Sequence, residues 1–136
     1  MPQAPTLLRS VLALIGLFIA ILGLDVAVGG ITTLGWMGPT DFMSISNADD
    51  FAVQNNHVQF LGGMFTASGL IFLAGAANPA RFRQPVITVC ALIFIGGLMR
   101  LTAPDISVVA NANVIGSFLA ELILFPLIAL WVWRKT

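Results

Sequence analysis

Four long apolar runs, separated by polar or glycine- and proline-rich connections, organise this chain. They cover about 8–28, 57–77, 85–101 and 112–133, near the ~20 residues that a helix needs to cross a ~30 Å hydrocarbon core. The pattern predicts an all-α fold: an integral membrane four-helix bundle forming one transmembrane domain over residues 1–136. Short connections join most of the helices, and one long outer loop occupies 29–56.

The first run begins like a signal peptide, with Arg9 ahead of it and Ala27, Val28 and Gly29 as a small-residue cleavage site. It is longer than the ~7–15-residue apolar region of such peptides, so a retained span is expected. Ala13, Gly16, Ala20, Gly23 and Ala27 recur at three-four spacing and form a seam along which another helix can approach closely. Gly29 and Gly30 end this helix. In the loop that follows, Trp36 and Met37 beside Gly35, Gly38 and Pro39 read as an interfacial turn, and Asp41 precedes a second helix capped by Ser46 or Asn47. Asp49 and Asp50 then sit in its first turn, where carboxylates favour the helix dipole, so the helix is expected to begin some turns ahead of its apolar stretch. Gly62, Gly63 and Gly69 in the second run point to close helix packing or, alternatively, to room for a ligand. Pro85 opens the third run at a position where proline is tolerated, and Pro126 is expected to kink the fourth, which Trp131, Trp133, Arg134 and Lys135 close as an anchor.

Composition rules out the alternatives. With 58% hydrophobic and 9% charged residues and a mean hydropathy of +0.97, the chain lies far from soluble domains, which are about a quarter charged. A formal net charge of zero gives no footprint for nucleic acid, and little chain is left outside the spans for a soluble catalytic module. The one cysteine, Cys90, lies mid-span and reads as packing.

Arg9, Arg81, Arg83, Arg134 and Lys135 all fall at the ends or connections that share one side, whereas the 29–56 loop has no Lys or Arg. By the positive-inside rule both termini and the 78–84 turn are expected in the cytoplasm and the long loop outside, as a multi-pass protein. Arg100 is the exception. At ~1.5 Å per residue it lies ~22 Å from the inner start of the third helix, and Glu121 lies ~18 Å from the inner end of the fourth. A charge at that depth is costly unless paired, so Arg100 and Glu121 are expected as a buried polar pair. Asn113, Ser117 and Glu121 form a polar stripe, while Gly96 and Gly97 leave space one turn below Arg100. Asp25, His57 and Gln59 fall in the same outer layer, making Asp25, His57, Gln59, Asn113 and Ser117 candidate contacts for a ligand or partner. A lone histidine is not a metal site, no nucleophile and base occur at readable spacing, and no cofactor or catalytic residue is assigned.

Three stretches carry a resemblance: His57 to Phe65 with Gly69 and Leu70, Gly96 to Leu101, and Glu121 and Leu122 with Pro126, Leu127 and Trp131. Together they resemble the small bacterial membrane proteins of the domain of unknown function 4345 family over about residues 8–134. The resemblance implies a four-helix fold in the bacterial inner membrane, with Arg100 and Glu121 as shared features. The family tends to carry Arg in a His-Phe-Arg-Phe pattern where this chain has Gln59, which removes a cation from the outer layer.

The function expected first is an accessory or structural subunit packing against a larger membrane complex, or a homo-oligomer. The alternative is a binder of a lipid or small amphiphile through the layer around Arg100 and Glu121. A membrane enzyme or transporter has less support, since transport usually calls for more helices or inverted repeats.

Overall fold

The structure, a computed structural model, describes residues 5–32 and 45–136. The expected turn at Trp36 and Met37, its flanking Gly35, Gly38 and Pro39, and Asp41 lie outside the described residues. The regular elements among the described residues are all helical, in the order α1 (Thr6–Gly29), α2 (Ala48–Ala77), α3 (Arg83–Met99), α4 (Ala112–Leu119) and α5 (Phe125–Lys135). A π-helical turn, Ala120–Leu124, joins α4 to α5, so these form one fourth rod. Short 3-10 segments at Gly30–Thr32, Arg100–Thr102 and Ile106–Ala110 lie at the end of the molecule away from the termini. Among the described residues four helices are thus long and apolar enough to cross a membrane. Large apolar side chains such as Leu14, Leu17, Leu92 and Leu127 point out of the bundle, as expected of a surface that faces lipid.

α2 starts where a capping residue meets acidic groups. The Asn47 side chain accepts from the Asp49 and Asp50 N–H groups at 3.1 and 3.3 Å, and donates to the Asp50 carboxylate at 2.6 Å. The resulting 30-residue helix is ~45 Å long, so it outreaches the ~30 Å core of a bilayer.

α1 and α2 form one hairpin along their length. Their small residues interlock. A side chain at Gly16 would run into the backbone of Gly69 and Leu73, one at Gly69 into Ala20, one at Gly23 into Thr66, and one at Gly62 into Ala27. The seam expected on α1 therefore meets a glycine seam on α2 at backbone contact, the small-residue packing that replaces the hydrophobic effect where lipid is the solvent.

This hairpin is tied at both ends. Arg9 Nε and Nη2 donate to the Ala76 and Ala77 carbonyls at 2.9 and 3.1 Å, closing the C-terminus of α2. At the opposite end the Asn55 side chain accepts from the Ile31 N–H at 2.8 Å, and Gln59 Nε2 donates to the Val28 carbonyl at 3.2 Å. Gly30 sits between them with φ +63° and Asn55 packed against its Cα, a position only glycine fills without strain.

α3 packs on α5 and on the π turn. Arg83 lies over the Trp133 ring, 4.3 Å from its centre, and donates to the Trp133 carbonyl at 3.0 Å, a second arginine closing a helix C-terminus. The two hairpins meet in a core confined mainly to the half of the bundle that holds the termini. Leu8, Leu12, Phe72, Val86, Cys90 and Val132 are all nearly or fully inaccessible there. Phe72 and Phe125 cap this core as an edge-to-face pair with ring centres 6.0 Å apart.

Pro126, where a kink is expected, follows the π turn Ala120–Leu124 by two residues. Proline lacks the N–H that would bond one turn back and its ring crowds that carbonyl, so the preceding turn widens by one residue.

Candidate functional site

Beyond the Phe72 and Phe125 pair the hairpins part. Between them lies a cleft of about 520 Å³, within the ~300–1,000 Å³ of small-molecule sites. α1 and α2 supply one wall, with Phe18, Leu22, Leu61 and Phe65; Ile93, Ala120, Leu124 and Phe125 supply the other. Along α1 the lining runs from Ile15 to Val26, ~16 Å at the helical rise. Nearly all of it is hydrocarbon. The polar side chains that line it are Arg100, Ser117 and Glu121, near the end away from the termini.

Arg100 begins the 3-10 turn that follows α3, and Glu121 sits on the π turn of the fourth rod. Arg100 Nε donates to Glu121 Oε2 at 2.6 Å and Nη2 to Oε1 at 2.7 Å, a two-pronged contact that fixes both planes. Gly97 lies one turn below. A Cβ there would come within 2.8 Å of Glu121 Cβ, so the missing side chain is what lets the glutamate reach the arginine. Gly96, expected to share that role, instead faces open space.

The pair is not enclosed by protein. The Arg100 side chain keeps 40% of its surface accessible and that of Glu121 keeps 14%, so the expected buried pair is a rim pair. The cause is the parting of the hairpins: among the described residues no element crosses the cleft to cover the guanidinium on the side away from Glu121.

Only part of the expected polar layer converges. Ser117 lines the cleft, its hydroxyl donating to the Val114 carbonyl at 2.8 Å and leaving its oxygen as an acceptor. Gln59 is engaged with Val28 as a cap of α1. Asn113 is exposed in the first turn of α4, its N–H held by the Asn111 side chain at 2.9 Å. His57 is exposed on α2 and Asp25 is partly buried on α1, and neither lines the cleft. The apolar lining and the π turn escaped sequence reasoning. Phe18, Leu61 and Phe65 are ordinary residues of apolar runs, and Pro126, the one usable sign of an irregular turn, does not say which residue the turn displaces.

Fold and site together define a class: a small all-α protein whose described residues form four helical rods long and apolar enough to cross a membrane, with an apolar cleft between two hairpins and an arginine–glutamate pair on its lining. Within that class, the chain belongs to the family described as Domain of unknown function (DUF4345), whose model matches residues 7–132, nearly the whole chain. No curated protein and no solved structure matches it.

Proposed function

We propose that the protein resides in the bacterial inner membrane with both termini in the cytoplasm, and holds a lipid or small amphiphile in the cleft. The apolar tail lies between the hairpins and the polar end meets Arg100 and Glu121. The observation that carries this reading is the cleft itself, lined over ~16 Å of α1 almost wholly by hydrocarbon, with its polar side chains, Arg100, Ser117 and Glu121, gathered toward the end away from the termini. That depth is close to one leaflet, half of a ~30 Å hydrocarbon core. The small-residue seams of α1 and α2 support it too, since they are used up against each other.

The test is native mass spectrometry of the protein extracted from its own membranes in mild detergent. Wild type is expected to retain one amphiphile, and Leu61→Trp, which fills the cleft from the α2 wall, is expected to lose it. Protein that carries no adduct overturns the reading. Orientation is checked separately by labelling single cysteines in a Cys90→Ala background from outside intact cells: Asn56→Cys is expected to react and Phe82→Cys to stay protected.

An accessory role against a larger complex is the second reading. Gly63, Gly96 and Gly116 favour it, because each faces open space on the outside of the bundle, where a foreign helix can come close. Crosslinking in native membranes distinguishes the two: a stoichiometric partner chain trapped at Gly63→Cys or Gly116→Cys supports it.

A further inference from the structure

We propose, building on the amphiphile-binding reading, that Glu121 makes the cleft select head groups that are neutral overall and carry both an acceptor and a donor, such as zwitterionic phospholipids, over anionic lipids with the same tails. An arginine at the mouth of an apolar cleft would ordinarily mark a site for anions. Here both oxygens of Glu121 occupy its Nε and Nη2 edge at 2.6 and 2.7 Å, so the local charge sums to zero.

The arginine is still able to bind. Of its five N–H donors two are engaged with Glu121, and the side chain opens to the cleft mouth with 40% of its surface accessible. A phosphate or carbonyl oxygen can take those donors. Coulomb attraction falls only as the inverse of distance, so an anion that reaches Arg100 also feels Glu121 a few ångströms further on, and much of its gain is cancelled. A head group with its own ammonium or hydroxyl escapes that penalty. The carboxylate has lone pairs beyond the two used by Arg100, and the Ser117 oxygen is a further acceptor on the same rim.

The surroundings act in the same direction. At this end of the molecule the described residues carry Asp25, Asp49, Asp50 and Asp105, with His57, while Arg9, Arg81, Arg83, Arg134 and Lys135 lie at the other end. The acidic side chains on this end give an approaching anionic head group no added attraction, and at low ionic strength they oppose it. Glu121 is fixed by its two bonds to Arg100, and Gly97 leaves room for it where the π turn packs on α3.

The test is a titration of the full-length protein in detergent, read by native mass spectrometry, with dioleoyl phosphatidylethanolamine and dioleoyl phosphatidylglycerol as probes. Wild type is expected to bind the zwitterionic lipid about tenfold more tightly, the scale at which one like charge tells. Glu121→Gln keeps the shape and one acceptor but removes the charge, and is expected to erase or reverse that preference. Glu121→Asp, which keeps the charge, is expected to retain it, so a misfolded Gln variant does not decide the matter. Equal binding of the two lipids by wild type, or tighter binding of the glycerol lipid, overturns the selectivity while leaving the cleft as a binding site. Failure of both lipids to bind overturns the amphiphile reading on which it rests.

Discussion

The two halves of this bundle use the same kinds of residue to opposite ends. In the half that holds the termini, side chains from all four rods interdigitate, with Leu8, Leu12, Phe72 and Val132 nearly or wholly inaccessible, and Arg9 and Arg83 close two helix ends. In the far half, equally apolar residues such as Phe18, Leu61, Phe65 and Leu124 face one another across open space. Hydrophobicity alone therefore does not make a core. What differs is the reach of the side chains from opposing hairpins, and the π turn of the fourth rod stands on the cleft wall.

The comparison is broken most sharply by truncating each half. Phe72→Ala removes a ring with no accessible surface and is expected to cost ~3–5 kcal/mol, measured by unfolding in mixed micelles. Leu61→Ala, on the cleft wall, is expected to stay within ~1 kcal/mol because more than half of Leu61 is already accessible. Equal losses would mean that the far half is a packed core as well.

Enlarging glycines gives the next largest effect. Gly69→Val drives a side chain into the Ala20 backbone and is expected to destabilise by ~1–3 kcal/mol, whereas Gly63→Val points into open space and is expected to change stability by less than ~0.5 kcal/mol. The measurement is folded yield and unfolding midpoint side by side. A Gly63→Val variant that assembles normally yet loses a crosslinked partner chain would sharpen the picture toward the accessory reading.

A double-mutant cycle on Arg100→Leu and Glu121→Leu places the rim pair between the two halves. The expected coupling is ~1–2 kcal/mol, above the ~0–1 kcal/mol of exposed pairs and below the ~3–5 kcal/mol lost when a buried pair is broken. Strictly additive single losses would mean that the two side chains do not interact.

Arg9→Gln should be milder. It forfeits one or both bonds to the Ala76 and Ala77 carbonyls, for ~1 kcal/mol, and is expected to speed hydrogen exchange in the last turn of α2 without altering amphiphile binding in the cleft. The smallest effect belongs to Asp105, outside the spans. Hydrogen bonds from the Ser107 hydroxyl and N–H hold its pKa below the usual carboxylate range. A depressed pKa contributes stability that is present above the unfolded value and lost as pH falls through the folded one, so only strong acid should loosen the Ile106–Ala110 turn. The Ser107 amide shift followed by NMR against pH reads this directly, and a midpoint at or above the ordinary value would contradict it.

Much of the fold was legible because it rests on local or periodic properties of the chain. Run length and hydropathy predict four long apolar helices, and three-four spacing from Ala13 to Ala27 places the small residues on one side of α1. Asn47 ahead of Asp49 and Asp50 marks a helix start. Two opposite charges at matching depth, Arg100 and Glu121, identify each other because an unpaired charge there is too costly. Other features depend on which faces meet. Arg9 counted in the sequence only as a positive charge, yet its guanidinium closes α2 sixty-seven positions away. Gln59 counted as a candidate contact, and its role as a cap could not be read, because it follows from α1 ending beside it. The cleft, and with it the accessibility of Arg100, was decided by tertiary structure alone. Close packing is a sum over side-chain volumes from four rods at once, and a run of apolar residues carries no record of whether the opposing wall is near enough to touch.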